Sequence, residues 1–358
     1  MSDYEDDEIH NSAVNGANFS VTPLNVTSRN ARITESGTPE RVTHVGFLKV
    51  HKAGSTTMQN LLFRFGLRYK LNIAVPKKGN IVGYSTPLVP PRYSDHYDIL
   101  ACHTMYSKNL YAKLLPTDAV RIAIIREPFE RMVSAAFYYR DVWKSKYLKS
   151  IPPSNFIHNL VSLPEKYDKK VFSKTKNAMG YDFDFPANMT LKHKDQIQNY
   201  LLTLEKDFEL VMTTDKFDES LVLLRRRLNW SIGDIVYYAI NKNLHQVIQL
   251  SAREHNKFKR TSFLDYEIYE YFSSVLKQKL KSAENDFRNE VAFFKNCLTK
   301  VRKFCDNKRV QSYIEFNNPK WGDPFKITKT DCKLMMTKEI SFLNRFEDYV
   351  PDKNIKMF

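Results

Sequence analysis

The chain has 358 residues, 42% hydrophobic and 13% aromatic, enough for one large globular core. Its 55 Lys and Arg against 40 Asp and Glu give a formal charge of +15, which suits an anionic partner such as a nucleotide, a sulfated glycan or an acidic surface. No compact basic arm argues for nucleic acid, no apolar run is long enough for a transmembrane helix, the first residues lack a signal-peptide core, and the four cysteines form no C-x-x-C metal or redox pattern.

Residues 1–41 open with MSDYEDDE and continue in Asn, Ser, Thr and Gly, which predicts a disordered, stem-like tail. Glycosylation acceptors occur there at Asn18 and Asn25, and again at Asn188 and Asn229. From Val42 the pattern becomes that of a folded domain running to 358. THVGFLKV predicts a buried strand, His51 to Thr57 a small-residue turn, and Met58, Leu61, Leu62 and Phe65 the apolar face of a helix. LNIAVP (71–76) predicts a short second strand, 77–95 a loop broken by Pro87, Pro90 and Pro91, and YDILAC (97–102) a strand ending on His103, with Cys102 a buried free thiol. AVRIAII (119–125) reads as a strand buried on both faces, followed by Arg126-Glu127-Pro128 and a helix carrying Ser134. Further on, 141–190 is mixed, 194–207 predicts a helix, 208–214 a strand and 217–230 a helix, and about 231–358 forms a mostly helical extension. The expected fold is α/β, a P-loop-like three-layer arrangement around a central parallel sheet.

A strand, a small-residue turn and a helix together make an anion cradle. The first N–H groups of the helix have no partner in the chain, and the helix dipole favours negative charge there. Lys52, Ala53, Gly54, Ser55, Thr56 and Thr57 would supply a cation, backbone amides and hydroxyls. The order His-Lys-Ala-Gly is not that of the G-x-x-x-x-G-K-[ST] nucleotide loop, which argues against a P-loop kinase. An ordinary strand-to-helix turn capped by Ser55 is the plainer alternative. Arg126 stands at the carboxyl end of its strand, where ligands bind in open α/β sheets, although pairing with Glu127 or Glu130 would also explain it. His51 and His103 end two strands on the same expected rim, and either suits a general base near neutral pH. The other histidines, including His44 and His96, carry no motif, and no ligand cluster argues for a metal.

The run KVHKAGSTTMQNLLFRFG closely resembles the phosphosulfate-binding loop of the galactose-3-O-sulfotransferase family, Golgi enzymes that include galactosylceramide sulfotransferase. REPFERMVS is similar to that family's R-[DE]-P-x-x-R-x-x-S motif for the donor's 3′-phosphate, and DFELVMTTDKFDESLVLLRRRLNW is again close. The resemblance spans roughly 44–346. It departs at Val50 and Ala53, where the family usually has Thr, and at Asp184, where it often has Gly.

The resemblance implies transfer of the sulfuryl group of 3′-phosphoadenosine 5′-phosphosulfate (PAPS) to the 3-hydroxyl of a terminal β-galactose on a galactosylceramide-like glycolipid or a glycoprotein glycan, without a metal. Lys52, His51 and His103 would be catalytic, and Arg126 and Ser134 would bind the 3′-phosphate. Cysteines at what look like Cys305 and Cys332 imply a bridge in an oxidising lumen. A type II Golgi membrane protein is implied, its anchor outside this chain, with a homodimer left open. The alternatives are a heparan or uronyl 2-O-sulfotransferase, which the LFRFG and DESLVLL runs disfavour, and a non-catalytic glycan binder on the same fold.

Overall fold

The computed structural model describes residues 40–239, 248–283, 286–307 and 311–347. The expected tail up to residue 39, with Asn18 and Asn25, lies outside the described residues.

The apolar runs form the sheet. Strands β1 (Val45–Leu48), β2 (Ile99–Leu100), β3 (Val120–Ile125) and β4 (Leu210–Thr213) align in the order β2-β1-β3-β4, and every pairing is parallel. β1 lies between β2 and β3, with Val45 opposite both Ile99 and Val120. Its four residues are all buried, as a strand covered on both faces requires. Because the strands are parallel, their carboxyl ends share one rim. The expected strand at 71–76 reduces to two isolated bridges, Ile73 to Ile99 parallel and Pro76 to Leu88 antiparallel. The neighbouring Asn72 spends its side chain on a loop instead. Its carbonyl accepts from the N–H of Arg92 and Tyr93 (2.6 and 3.0 Å), and its amide donates to Ser94 Oγ and the His96 carbonyl. Pro76 has no N–H to extend a ladder.

Helix α1 (Ser55–Tyr69) starts after Gly54, whose φ of 70° suits glycine, and buries Met58, Leu61, Leu62 and Phe65. Gly66 on this helix is required by packing, because a Cβ there would meet Ile73 Cδ1 at 2.7 Å. α2 (Lys108–Leu114) is capped by Ser107 and precedes β3. α3 (Pro128–Asp141) has proline in its first turn, and the Glu127 side chain accepts from the Glu130 N–H at 2.7 Å. Its buried face joins a second apolar cluster with Leu148, Ile151, Phe156 and Phe258.

Short helices α4 (Lys146–Lys149), α5 (Phe156–Ser162), α6 (Pro164–Tyr167) and α7 (Ala178–Asp182) occupy the mixed region. Asp184 has φ 58°, so an aspartate occupies a left-handed position at the place where the resembling family often has glycine. α8 (Lys194–Asp207) covers the expected span, and α9 (Phe217–Leu228) ends earlier than expected, at left-handed Asn229.

The extension holds α10 (Ile232–Ile235), α11 (Ala252–Thr261), α12 (Phe263–Lys281) and α13 (Phe287–Asp306). It is not helical throughout, because β5 (Tyr313–Phe316) and β6 (Phe325–Thr328) pair antiparallel. Phe316 stacks on Phe325 at 4.8 Å across that pair, the cross-strand aromatic contact that stabilises a hairpin. α14 (Lys329–Met335) is bonded to α13 through Cys305–Cys332, Cα atoms 5.5 Å apart. α15 (Glu339–Glu347) lies on α1, with Phe342 and Phe346 each 5.3 Å from Phe63. Burying each such ring stabilises the contact by about 1.5–3 kcal/mol. The last helix is thereby carried back to the first.

Candidate active site

The loop after β1 makes the centre of the site. Lys52 (φ 64°) and Gly54 turn the chain into α1. Ala53 is buried, and the Ser55 hydroxyl donates to the Val50 carbonyl at 2.7 Å. That oxygen holds the loop and is not directed to a ligand, which corrects the expectation of three available hydroxyls. The Thr57 N–H goes to the Gly54 carbonyl at 3.1 Å. The N–H groups of Ser55 and Thr56 and the hydroxyls of Thr56 and Thr57 make no hydrogen bond among the described residues. The Lys52 ammonium sits 3.8 Å from the centroid of the Tyr138 ring, on α3. Burial, then the nearby charges of Arg126 and Lys49, push its pKa down to about 8.

Arg126 stands at the end of β3 on the same rim. It donates to Glu130 at 3.3 Å, an exposed pair worth little that a ligand anion can displace. Ser134, two turns into α3, is a mostly buried residue whose hydroxyl makes no hydrogen bond among the described residues. Arg131 of the same motif is wholly buried. It pairs with Asp265 at 3.4 Å and donates to the carbonyls of Lys174 and Thr175, so its place is structural.

His51 and His103 meet as expected from strands ending on one rim, their rings stacked with centroids 4.2 Å apart. Their hydrogen bonds differ. Asp182, at the end of α7, takes His51 in two ways: Oδ2 accepts the backbone N–H at 2.8 Å and Oδ1 faces Nδ1 at 2.7 Å. This fixes the proton on Nδ1 and leaves Nε2 with a free lone pair among the described residues. Asp182 is itself placed by Asp265, whose Oδ1 accepts the N–H groups of Met179 and Gly180 at the start of α7. His103 has no free nitrogen. Its Nδ1 donates to the Lys49 carbonyl at 3.1 Å and its Nε2 accepts from Lys49 Nζ at 2.8 Å. Burial, Lys49 and His51 push the His103 pKa down to about 2, so the ring is neutral at any working pH.

Lys49, Asp182 and Glu339 are the residues that motif reading missed. Lys49 is 1% exposed, and its ammonium donates to both carboxylate oxygens of Glu339, at 2.9 and 3.0 Å. Glu339 also accepts from the Asn80 amide at 3.1 Å. A lysine inside the apolar run FLKV was a readable signal, and Asp182 lay in YDFDF, but nothing local marks Glu339. Glu339→Gln leaves the Lys49 charge buried without its partner. The expected result is a loss of about 3–5 kcal/mol in a urea unfolding measurement, and an unchanged midpoint would show that Lys49 does not need this carboxylate.

Other expected features lie elsewhere. Asn188 is exposed. His44 and His96 carry no sequence motif, but tertiary packing gathers them with Asp98 at the opposite rim of the sheet. No helix among the described residues is long and apolar enough to cross a membrane.

Similarity to known proteins agrees with this geometry. The family model for galactose-3-O-sulfotransferase matches residues 9–320. Galactose-3-O-sulfotransferase 2 of Mus musculus is 30% identical over 254 residues, 65% of this chain and 61% of the relative. The Homo sapiens protein of that name is 26% identical over 308 residues, 81% of this chain and 75% of the relative. Galactosylceramide sulfotransferase of Homo sapiens is 26% identical over 276 residues, 73% of this chain and 64% of the relative. The chain thus spans about three fifths to three quarters of the length of these curated relatives. With its parallel sheet, its His-Lys loop and Arg126 on one rim, and a family match over most of its length, this chain belongs to the galactose-3-O-sulfotransferase family.

Proposed function

We propose that this protein transfers the sulfuryl group of PAPS to the 3-hydroxyl of a terminal β-galactose on a glycolipid, galactosylceramide-like, or on a glycoprotein glycan. The observation that carries this reading is the open Nε2 of His51, oriented by Asp182, beside Lys52 and an uncommitted helix N-terminus. His51 takes the proton of the attacking hydroxyl at Nε2 as the oxygen–sulfur bond forms. Lys52, with the N–H groups of Ser55 and Thr56, stabilises the charge that collects on the bridging oxygen as the old sulfur–oxygen bond breaks. His103 acts as a positioning residue that holds Lys49 and stacks on His51. Arg126 and Ser134 bind the 3′-phosphate.

The site residues fit such a donor: two cations, unspent amides and unspent hydroxyls line one rim, and no step requires a metal. The Cys305–Cys332 bond and the exposed acceptor Asn188 support a lumenal Golgi setting, with membrane association and a homodimer as the assembly.

The test is calorimetric titration with 3′-phosphoadenosine 5′-phosphate, with 5′-AMP and Mg-ATP as controls. Tight binding that needs the 3′-phosphate and no Mg²⁺ is expected. Arg126→Ala should weaken it by about 10- to 100-fold, the worth of a charge-assisted contact. Equal affinity for 5′-AMP would remove Arg126 from this role, and a preference for Mg-ATP would return a kinase reading to the front.

A further inference from the structure

A second cluster of chemically active side chains lies at the amino ends of the strands, away from the site described above. His44 directly precedes β1, and His96 and Asp98 lead into β2. His44 Nε2 and His96 Nε2 are each 3.3 Å from the same oxygen, Asp98 Oδ1, and the three atoms lie within 4.8 Å of one another. The remaining groups are already held. His44 Nδ1 is 2.9 Å from Asp118 Oδ1, His96 Nδ1 is 3.0 Å from Asp95 Oδ1, and Asp98 Oδ2 accepts the Asn72 N–H at 2.6 Å.

Each imidazole therefore faces carboxylates through both nitrogens. A neutral imidazole carries one N–H, so one lone pair per ring points at a carboxylate oxygen unless something positive lies between them. The Nδ1 contacts are close to a charge-assisted hydrogen bond, about 2.7–2.9 Å. The Nε2 contacts are longer. Their length matches the separation of about 3.3 Å between two ligand atoms that each lie about 2.0–2.1 Å from a tetrahedral zinc. Asp118 behind His44 is the kind of outer partner that metal-binding histidines use to fix their tautomer. Asp98 is buried, and its negative charge between two imidazoles is one that a divalent ion offsets.

We propose that His44 Nε2, His96 Nε2 and Asp98 Oδ1 form a zinc-binding site, with water as the fourth ligand. Two imidazoles and one carboxylate suit zinc better than magnesium or calcium, which take oxygen ligands. The site lies at the amino end of β1, whereas His51 follows its carboxyl end on the opposite rim, so its role is not in the transfer reaction. It ties the 92–97 loop, already gripped by Asn72, to the start of the sheet.

The test uses the full chain without a polyhistidine tag, stripped with chelator, dialysed and titrated with Zn²⁺ by calorimetry, and with Co²⁺ by visible absorption. One equivalent is expected to bind, with tetrahedral cobalt bands and a rise in thermal midpoint on zinc addition. His96→Gln, on a partly exposed loop ring, should weaken binding at least about 100-fold, whereas His51→Gln should leave it unchanged. No saturable binding would mean that protons satisfy these carboxylates and would overturn the proposal. So would binding that survives His96→Gln, or binding lost in His51→Gln.

Discussion

Lys52→Ala is expected to lower kcat at least about 10³-fold while leaving the fold in place. Removing one neutral donor from a charge-stabilising site costs about 10²–10³ in rate, and Lys52 contributes a full charge at the bridging oxygen in the proposed reaction. The fold should survive because the ammonium has no ion pair among the described residues; it lies over the Tyr138 ring, and its removal relieves a burial cost. The urea midpoint should therefore move by less than about 1 kcal/mol. A pH profile supplies a second readout. The protonated form is the one required, and burial with two neighbouring cations holds its pKa down to about 8. In the free enzyme the charge is present below that pH and lost above it, so kcat/KM for the donor should fall as pH rises past about 8. Arg126→Gln removes one of the depressing charges and should shift this limb to higher pH. Near-normal activity in Lys52→Ala, or a profile that stays flat well above pH 8, would remove Lys52 from the leaving-group role.

Asp182→Asn is expected to lower kcat by about 10²–10⁴-fold, with little change in either KM. The carboxylate holds the His51 proton on Nδ1 at 2.7 Å. An amide nitrogen at that place donates instead, which moves the imidazole proton to Nε2, where the acceptor hydroxyl must deliver its own. A wrong tautomer in a comparable dyad costs this order of rate. Asn is close in shape and retains a carbonyl for the His51 backbone N–H, so the local fold is preserved. His51→Gln should cost a similar amount, and the double variant should be no worse than the worse single, because the two residues act as one unit. If Asp182→Asn were active while His103→Gln were not, the base would be His103. That outcome requires Lys49 to release Nε2, which it now occupies at 2.8 Å.

The strand-turn-helix around His51 and Lys52, the strand before Arg126 and the helices at 194–207 and 217–228 were legible because their causes are local. Apolar periodicity, a proline at N1 and a glycine with positive φ act within a few residues. The parallel class of the sheet followed from strands buried on both faces. The family was legible because the loop and the Arg126 motif are contiguous runs. The strand expected at 71–76 failed because its pairing with Ile99 stops at Ile73 and the chain turns to bridge Leu88 at Pro76. The hairpin at 313–328 escaped because its strands are only four residues each, too short for a clear period.

What the tertiary structure alone decided are polar pairings between distant segments. Glu339 meets Lys49 across 290 residues and Asp182 meets His51 across 131. His44 and His96 converge on one oxygen of Asp98 from separate segments. No sequence period encodes such pairs. They depend on strand order, on α15 returning to α1, and on the low cost of placing a charge in the interior only where packing has already brought its partner.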